Sequence, residues 1–177
     1  MRTTTFITLL ILMIIGTNLS AQRNSYSERY GNTLNLGIGI GGYSGYYGYV
    51  GRSLPVLHAN YEFDVANNIT LAPFLTYFTY TNNYYHETVI PIGVKGTYYF
   101  DNILNASPKW DYYLAGSLGF ALVNSNWDNN YQGVRNAQNA SPLFLDIHVG
   151  TEYHLTKKLG IFLDLSSGVS TIGLSLH

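Results

Sequence analysis

Hydrophobic and polar residues alternate with a period of two along most of the chain, which sets successive side chains on opposite faces of a strand. In the first such segment Leu34, Leu36, Ile38 and Ile40 alternate with Asn35, Gly37, Gly39 and Gly41. Next, Leu57, Ala59, Tyr61, Phe63 and Val65 oppose His58, Asn60, Glu62 and Asp64. Ile69, Leu71, Leu75 and Tyr77 oppose Thr70, Ala72, Phe74, Thr76 and Phe78, while Ile90, Ile92, Val94, Tyr98 and Phe100 oppose Glu87, Gly93, Lys95 and Thr97. Four further segments follow, starting at Trp110, Leu143, Leu159 and Thr171. No useful length has helical spacing, so eight strands of an all-β, up-and-down chain are predicted. Tight turns are expected at Asn67-Asn68 and Thr156 to Lys158, and longer links at 43–54, 81–86, 101–109 and 124–142, where Gly, Asn and Ser gather.

Alternation does not say which face is inside, but three features do. The apolar faces of all eight segments lack Asp, Glu, Lys, Arg, His, Asn and Gln, as a lipid-facing belt requires: a Lys or Arg at the bilayer midplane costs about 2–4 kcal/mol. The opposite face carries Gly37, Gly39, Gly41, Gly93, Gly119, Gly150, Gly160 and Gly173, together with Glu62, Asp64, Glu87, Asp111, Asp146, Glu152 and Asp164 against one lysine, Lys95. Glycine weakens a solvated strand but relieves crowding inside a narrow barrel, where small and large residues alternate. Finally, Phe63, Tyr98, Phe100, Trp110, Tyr112 and Tyr153 fall at one end of their strands, the position of an interfacial aromatic girdle. An eight-stranded antiparallel transmembrane β-barrel is therefore expected.

Composition sharpens this reading. The 177 residues include only 11% charged side chains, with 17 tyrosines, no cysteine and a formal net charge of −1. An average soluble domain has about 25% charged residues. Near neutrality speaks against nucleic acid as a partner, and the lack of cysteine excludes a disulfide scaffold, a thiolate metal site and a thiol nucleophile. Residues 1–21 carry Arg2, an apolar run from Phe6 to Ile15 and a small-residue end at Ser20-Ala21. The run is shorter than the roughly 20 residues that span a bilayer, and reads as a secretory signal peptide cleaved after Ala21. Residues 22–32 form a polar lead-in and 33–177 the barrel domain.

Two stretches carry a family resemblance. Lys95 to Phe120 (KGTYYFDNILNASPKWDYYLAGSLGF) is similar to the strand–short-helix–strand periplasmic connection of the outer-membrane β-barrel domain family, of the eight-stranded OmpA/OmpX-like type. Lys157 to His177 (KKLGIFLDLSSGVSTIGLSLH) resembles that family's last two strands. The resemblance implies a bacterial outer-membrane location, with the lipid bilayer and the outer-membrane assembly machinery as partners. His177 stands where such barrels usually close on an aromatic residue, a departure that bears on recognition by that machinery.

Asp146, His148, Glu152 and His154 share one strand face, and with His58, Glu62 and Asp164 they form either a metal or acid–base cluster or a network filling the lumen. At about 3.3 Å per residue they spread over about 20 Å, which favours filling, with no catalytic residue, cofactor or metal. Lys95 is expected to pair with one or two of the acids. The Gly41 to Tyr49 segment lacks the Lys-Ser/Thr of a phosphate loop; loops 43–54 and 124–142 are candidate contact surfaces for a ligand. The expected function is a structural or adhesion-like barrel without an open pore, since eight strands leave an interior just wide enough for side chains. The alternatives are an outer-membrane lipid-modifying enzyme and a soluble, lipocalin-like periplasmic carrier with the apolar face inside.

Overall fold

The computed structural model describes residues 30–41, 53–82, 84–128 and 143–177. Eight strands pair in sequence order and close: β1 (Thr33–Gly41), β2 (Ser53–Ala66), β3 (Ile69–Asn82), β4 (Tyr85–Tyr99), β5 (Trp110–Trp127), β6 (Leu143–Thr156), β7 (Leu159–Ser166) and β8 (Ser170–Leu176). Every neighbouring pair is antiparallel, and β1 meets β8 in the register Leu34↔Leu176 to Ile40↔Ser170. The fold is the predicted closed, up-and-down barrel. Thr33 and Leu176 share one end, here the lower, with the β2–β3, β4–β5 and β6–β7 connections.

The lower connections follow local chemistry. Asn68 adopts φ 59°, the left-handed conformation that asparagine tolerates, and closes the β2–β3 turn. The β4–β5 connection holds one short helix, α1 (Asp101–Leu104), which ends where Asn105 turns left-handed at φ 50° and the Ala106 N–H returns to the Asp101 carbonyl at 3.0 Å.

The strands are longer at the upper end than the apolar alternation predicts. The segment 81–86 is not a long link: β3 runs to Asn82 and β4 begins at Tyr85. Likewise β5 continues to Trp127, beyond the expected end near Leu122, and β2 begins at Ser53. Pairing continues from Phe78↔Val89 to Asn82↔Tyr85 and from Val89↔Val123 to Tyr85↔Trp127. Apolar alternation stops because the strands leave the apolar belt, whereas Thr and Tyr still favour pleated pairing. Loops 43–54 and 124–142 lie largely outside the described residues, as do residues 1–29.

The apolar face points outward. Ile38, Leu57, Leu75, Leu118, Phe120, Leu145, Ile147, Leu165 and Ile172 are exposed around the barrel, and no charged side chain interrupts this belt among the described residues. A water-soluble carrier needs the reverse arrangement. Buried apolar clusters occupy the interior at two levels. Val56, Phe78, Val89, Ala121 and Val169 form an upper apolar plug, and Tyr30, Tyr99, Tyr113 and Ala115 a lower one. Tyr30 comes from the polar lead-in, stacks on Tyr99 at 4.0 Å and 5°, and sends its hydroxyl to the Asp101 carboxylate at 3.0 Å.

Glycines opposite large rings explain the interior pattern. A methyl on Gly150 would overlap the Tyr113 ring, and one on Gly37 or Gly173 would lie 2.9 or 2.7 Å from Phe162. Glycine here clears the inner face of a neighbouring strand: Tyr113 pairs directly with Gly150 and Phe162 with Gly173, beside Gly37, so each ring lies over the adjacent backbone.

Candidate functional site: the wired lumen and its lower rim

Between the plugs the polar face assembles from every strand. On β2, Glu62 accepts bonds from the Asn35 amide (2.9 Å), the Thr70 hydroxyl (2.5 Å) and the Tyr99 hydroxyl (2.8 Å), tying β2 to β1, β3 and β4. His58 sits elsewhere, with Nδ1 2.8 Å from Thr76 Oγ1 and Nε2 3.0 Å from the Asn60 amide nitrogen. Asp64 departs from the expected lumen position. It is exposed at the lower rim, past the last buried level of β2, and accepts from the N–H groups of Gly31 (2.8 Å) and Tyr30 (3.2 Å). Glu87 is buried near the upper plug.

Asp164 is the central node. Lys95 Nζ donates to Oδ2 at 2.5 Å, the Tyr113 hydroxyl donates to the same oxygen at 3.0 Å, and His148 Nδ1–H donates to Oδ1 at 2.7 Å. Lys95 thus meets one carboxylate at hydrogen-bond distance, and it also lies 4.9 Å over the Tyr113 ring. Above it, Asp146 accepts from the Ser166 hydroxyl at 2.8 Å, from the Ser167 hydroxyl and from the Ile147 N–H. The Asp146–His154 run is therefore divided. Asp146 serves the upper level, His148 joins Asp164 at mid-height, and Glu152 and His154 lie at the lower rim with Asp111, which accepts from His154 Nε2–H at 2.8 Å.

One constellation was not anticipated. The Ser117 hydroxyl is hydrogen-bonded to His148 Nε2, whose Nδ1 bonds Asp164. This hydroxyl–imidazole–carboxylate order is that of hydrolase triads. Yet all three residues are buried, and the adjoining cavity measures about 10 Å³. That volume suits about one water, not an acyl chain. Asp164 is moreover engaged by Lys95. The constellation's bonds join β5, β6 and β7.

The girdle residues lie on the outside at the lower end. Trp110 stacks on Tyr112 at 6.2 Å and meets Tyr153 at 4.8 Å, and Phe100 stacks on Tyr112 at 6.5 Å. Phe63 packs on Tyr61 at 4.7 Å, and Tyr98 is exposed. The inward rings of Tyr99, Tyr113 and Phe162 were legible in principle, because they share the parity of Lys95, Asp111 and Asp164 on their strands. Nothing in the lead-in marks Tyr30.

No family model matches the chain, and no curated protein matches its sequence. Among solved structures the chain is similar to the Yersinia pestis outer membrane protein Ail in a phospholipid bilayer nanodisc, at 9% identity and TM-score 0.48, over 81% of this chain and 96% of that one. It is also similar to the N-terminal β-barrel domain of Pseudomonas aeruginosa OprF (16% identity, TM-score 0.47, 82% and 95%) and to Neisserial surface protein A (15%, 0.44, 81% and 92%). The barrel itself is established by its strand pairing, and no functional residue is carried across.

Proposed function

We propose that this chain is an integral protein of the bacterial outer membrane with a closed lumen and a structural or surface-interaction role. The observation that carries the reading is the unbroken apolar belt over a charged interior. Soluble monomers rarely expose apolar patches beyond about 300–600 Å², whereas here the belt encircles the barrel, and a closed barrel leaves no backbone group unpaired in lipid. Residues 1–21 support export by a signal peptide, and the bilayer and outer-membrane assembly machinery are the partners this route implies. With eight strands the lower rim faces the periplasm and the upper end faces outward.

The upper extension supports an adhesion-like role. From Tyr77 to Asn82, β3 continues about 16 Å at about 3.3 Å per residue, paired with β4, which pairs in turn with β5. The upper end carries Asn124, Asn126 and Trp127 on β5 and Tyr84 in the turn between β3 and β4. Rigid aromatic and amide side chains make contacts at low entropic cost. The two plugs support a pore that stays shut, and the buried Ser117–His148–Asp164 chain supports a scaffold over the hydrolase that its order suggests.

Heat-modifiable gel migration combined with detergent-dependent extraction from the outer membrane tests the reading. Full solubility without detergent refutes the membrane assignment, sustained single-channel conductance refutes the closed lumen, and covalent labelling of Ser117 by a fluorophosphonate refutes the scaffold role.

A further inference from the structure

Independently of where the barrel resides, its lower rim brings together two imidazoles and a carboxylate. Glu152 and His154 stand two residues apart on the inner face of β6, and His177 continues the inward parity of Thr171, Gly173 and Ser175 on β8. Between them lies β7, whose Gly160 pairs with both His154 and Ser175. A side chain on Gly160 would collide with the Glu152 carboxylate. Glycine there opens the passage through which Glu152 reaches across β7. His177 Nε2 lies 2.7 Å and His154 Nδ1 3.8 Å from Glu152 Oε1, and the candidate ligand atoms of all three residues lie within 4.8 Å of one another.

The outer hydrogen bonds decide which nitrogen of each ring faces inward. His154 Nε2–H donates to the Asp111 carboxylate at 2.8 Å, which leaves Nδ1 toward Glu152. The Thr33 hydroxyl donates its only proton to the Tyr30 carbonyl at 2.8 Å, so at 2.9 Å it must accept from His177 Nδ1–H, and Nε2 faces Glu152. Metal-bound histidines are held in this way, the distal N–H anchored on a carboxylate or other oxygen.

We propose that Glu152, His154 and His177 form a binding site for a divalent transition-metal ion, with Asp111 and Thr33 as its orienting residues. Two imidazole nitrogens and one carboxylate oxygen are a three-ligand set that Zn²⁺ accepts, with water in the fourth position, and imidazole selects for this class over Mg²⁺ or Ca²⁺. The ion takes the place of the proton that bridges His177 Nε2 and Glu152 Oε1, which leaves to solvent. His154 and His177 remain partly exposed, so the ion enters from the aqueous side of the rim. Once bound, it staples β6 to β8 across β7.

The test uses the tag-free chain folded in detergent, titrated with Zn²⁺ against a chromophoric chelator, and with Co²⁺ for its ligand-field spectrum. One equivalent is expected to bind. H154Q and H177Q should each abolish stoichiometric binding, D111N should weaken it about 10–100-fold, and H148Q should leave it intact. In the wild-type protein, Zn²⁺ should shift the ¹⁵N signals of His154 Nδ1 and His177 Nε2, a readout that needs no variant to fold. Absence of stoichiometric binding, binding retained in both H154Q and H177Q, or shifts confined to His58 and His148 would overturn the site.

Discussion

Replacing Lys95 with methionine removes the one buried ammonium among the described residues and keeps an apolar stem of similar length. Lys95 Nζ stands 2.5 Å from Asp164 Oδ2, with the two side chains only 5% and 4% exposed. Removing one partner of a buried pair costs about 3–5 kcal/mol, because the other charge is left behind. Asp164 still keeps the Tyr113 hydroxyl and His148 Nδ1, which places K95M at the lower bound, about 3 kcal/mol. With a urea dependence of about 2 kcal/mol per molar, the unfolding midpoint should fall by about 1.5 M. The matched variant D164N strands the ammonium instead and should cost a similar amount. The double variant leaves neither charge and retains an acceptor for Tyr113. With a coupling energy of about 2–3 kcal/mol, at the upper end for residues in contact, it should cost about 3–4 kcal/mol, little more than either single variant and well short of about 6 kcal/mol for the two losses added.

The assay is urea unfolding in phospholipid vesicles, followed by tryptophan fluorescence and by heat-modifiable migration on the same samples. A K95M midpoint equal to that of wild type would show that the pair adds nothing. A double variant as unstable as the two single losses added together would show that the residues act separately. Either result refutes Asp164 as the node that joins β7 to β4, β5 and β6.

Gly150→Ala should cost about 1–3 kcal/mol through overpacking against Tyr113, and Tyr113→Leu in the same chain should relieve part of it; thermal unfolding of the single and double variants decides. Tyr30→Ala should cost about 3 kcal/mol by emptying the lower plug, and Tyr30→Phe about 1 kcal/mol by removing the bond to Asp101, both read from urea midpoints. Burial chiefly raises the Asp101 carboxyl above its ordinary range, with the Asp111 charge adding to this and the Tyr30 hydroxyl bond opposing it. Its folded form therefore favours the proton, so its stabilising contribution is present below the ordinary aspartate range and is lost as pH rises through the raised value. Wild type should lose stability relative to D101N across that window; a flat difference refutes the shift. In W127F, Trp110 should be quenched more by lipids brominated near the headgroup than near the chain end, and equal or reversed quenching would remove it from the interface.

Much of the barrel was legible because its outer and inner faces impose opposite demands on alternate residues. Leu114, Leu118 and Phe120 face out while Asp111, Ser117 and Gly119 face in, and no tertiary contact has to be known to see it. Strand ends at the upper rim were not legible, because Thr79, Thr81, Asn124 and Asn126 pair without an apolar face to advertise the pairing. Within the lumen, parity gives a residue's side but not its height. His148 and His154 share a face, yet one meets Asp164 and the other Asp111, and only the stagger of the strands decides this. The position of Tyr30 depends on the chain folding back beneath α1, and Asp64 turns out to the rim for the same reason: it holds that returning backbone.

The acidity of the lumen follows from what a carboxylate can do in a narrow space. Six buried carboxylates on the strands, those of Glu62, Glu87, Asp111, Asp146, Glu152 and Asp164, face one buried lysine among the described residues. Two of them are held by neutral donors, Glu62 by an amide and two hydroxyls and Asp146 by two serines and backbone N–H groups, while Asp111, Glu152 and Asp164 each meet an imidazole and Asp164 also Lys95. An ionised carboxylate offers about four acceptor positions, so one short side chain ties together three strands. Hydrogen bonds to charged groups contribute about 1.5–3 kcal/mol each, against about 1 kcal/mol for neutral ones. Hydroxyls and amides are small enough to crowd around such an acceptor in an eight-stranded barrel, whose interior is just wide enough for side chains. The same crowding sets an imidazole between two strands: His148 on β6 reaches Ser117 on β5 through one ring nitrogen and Asp164 on β7 through the other.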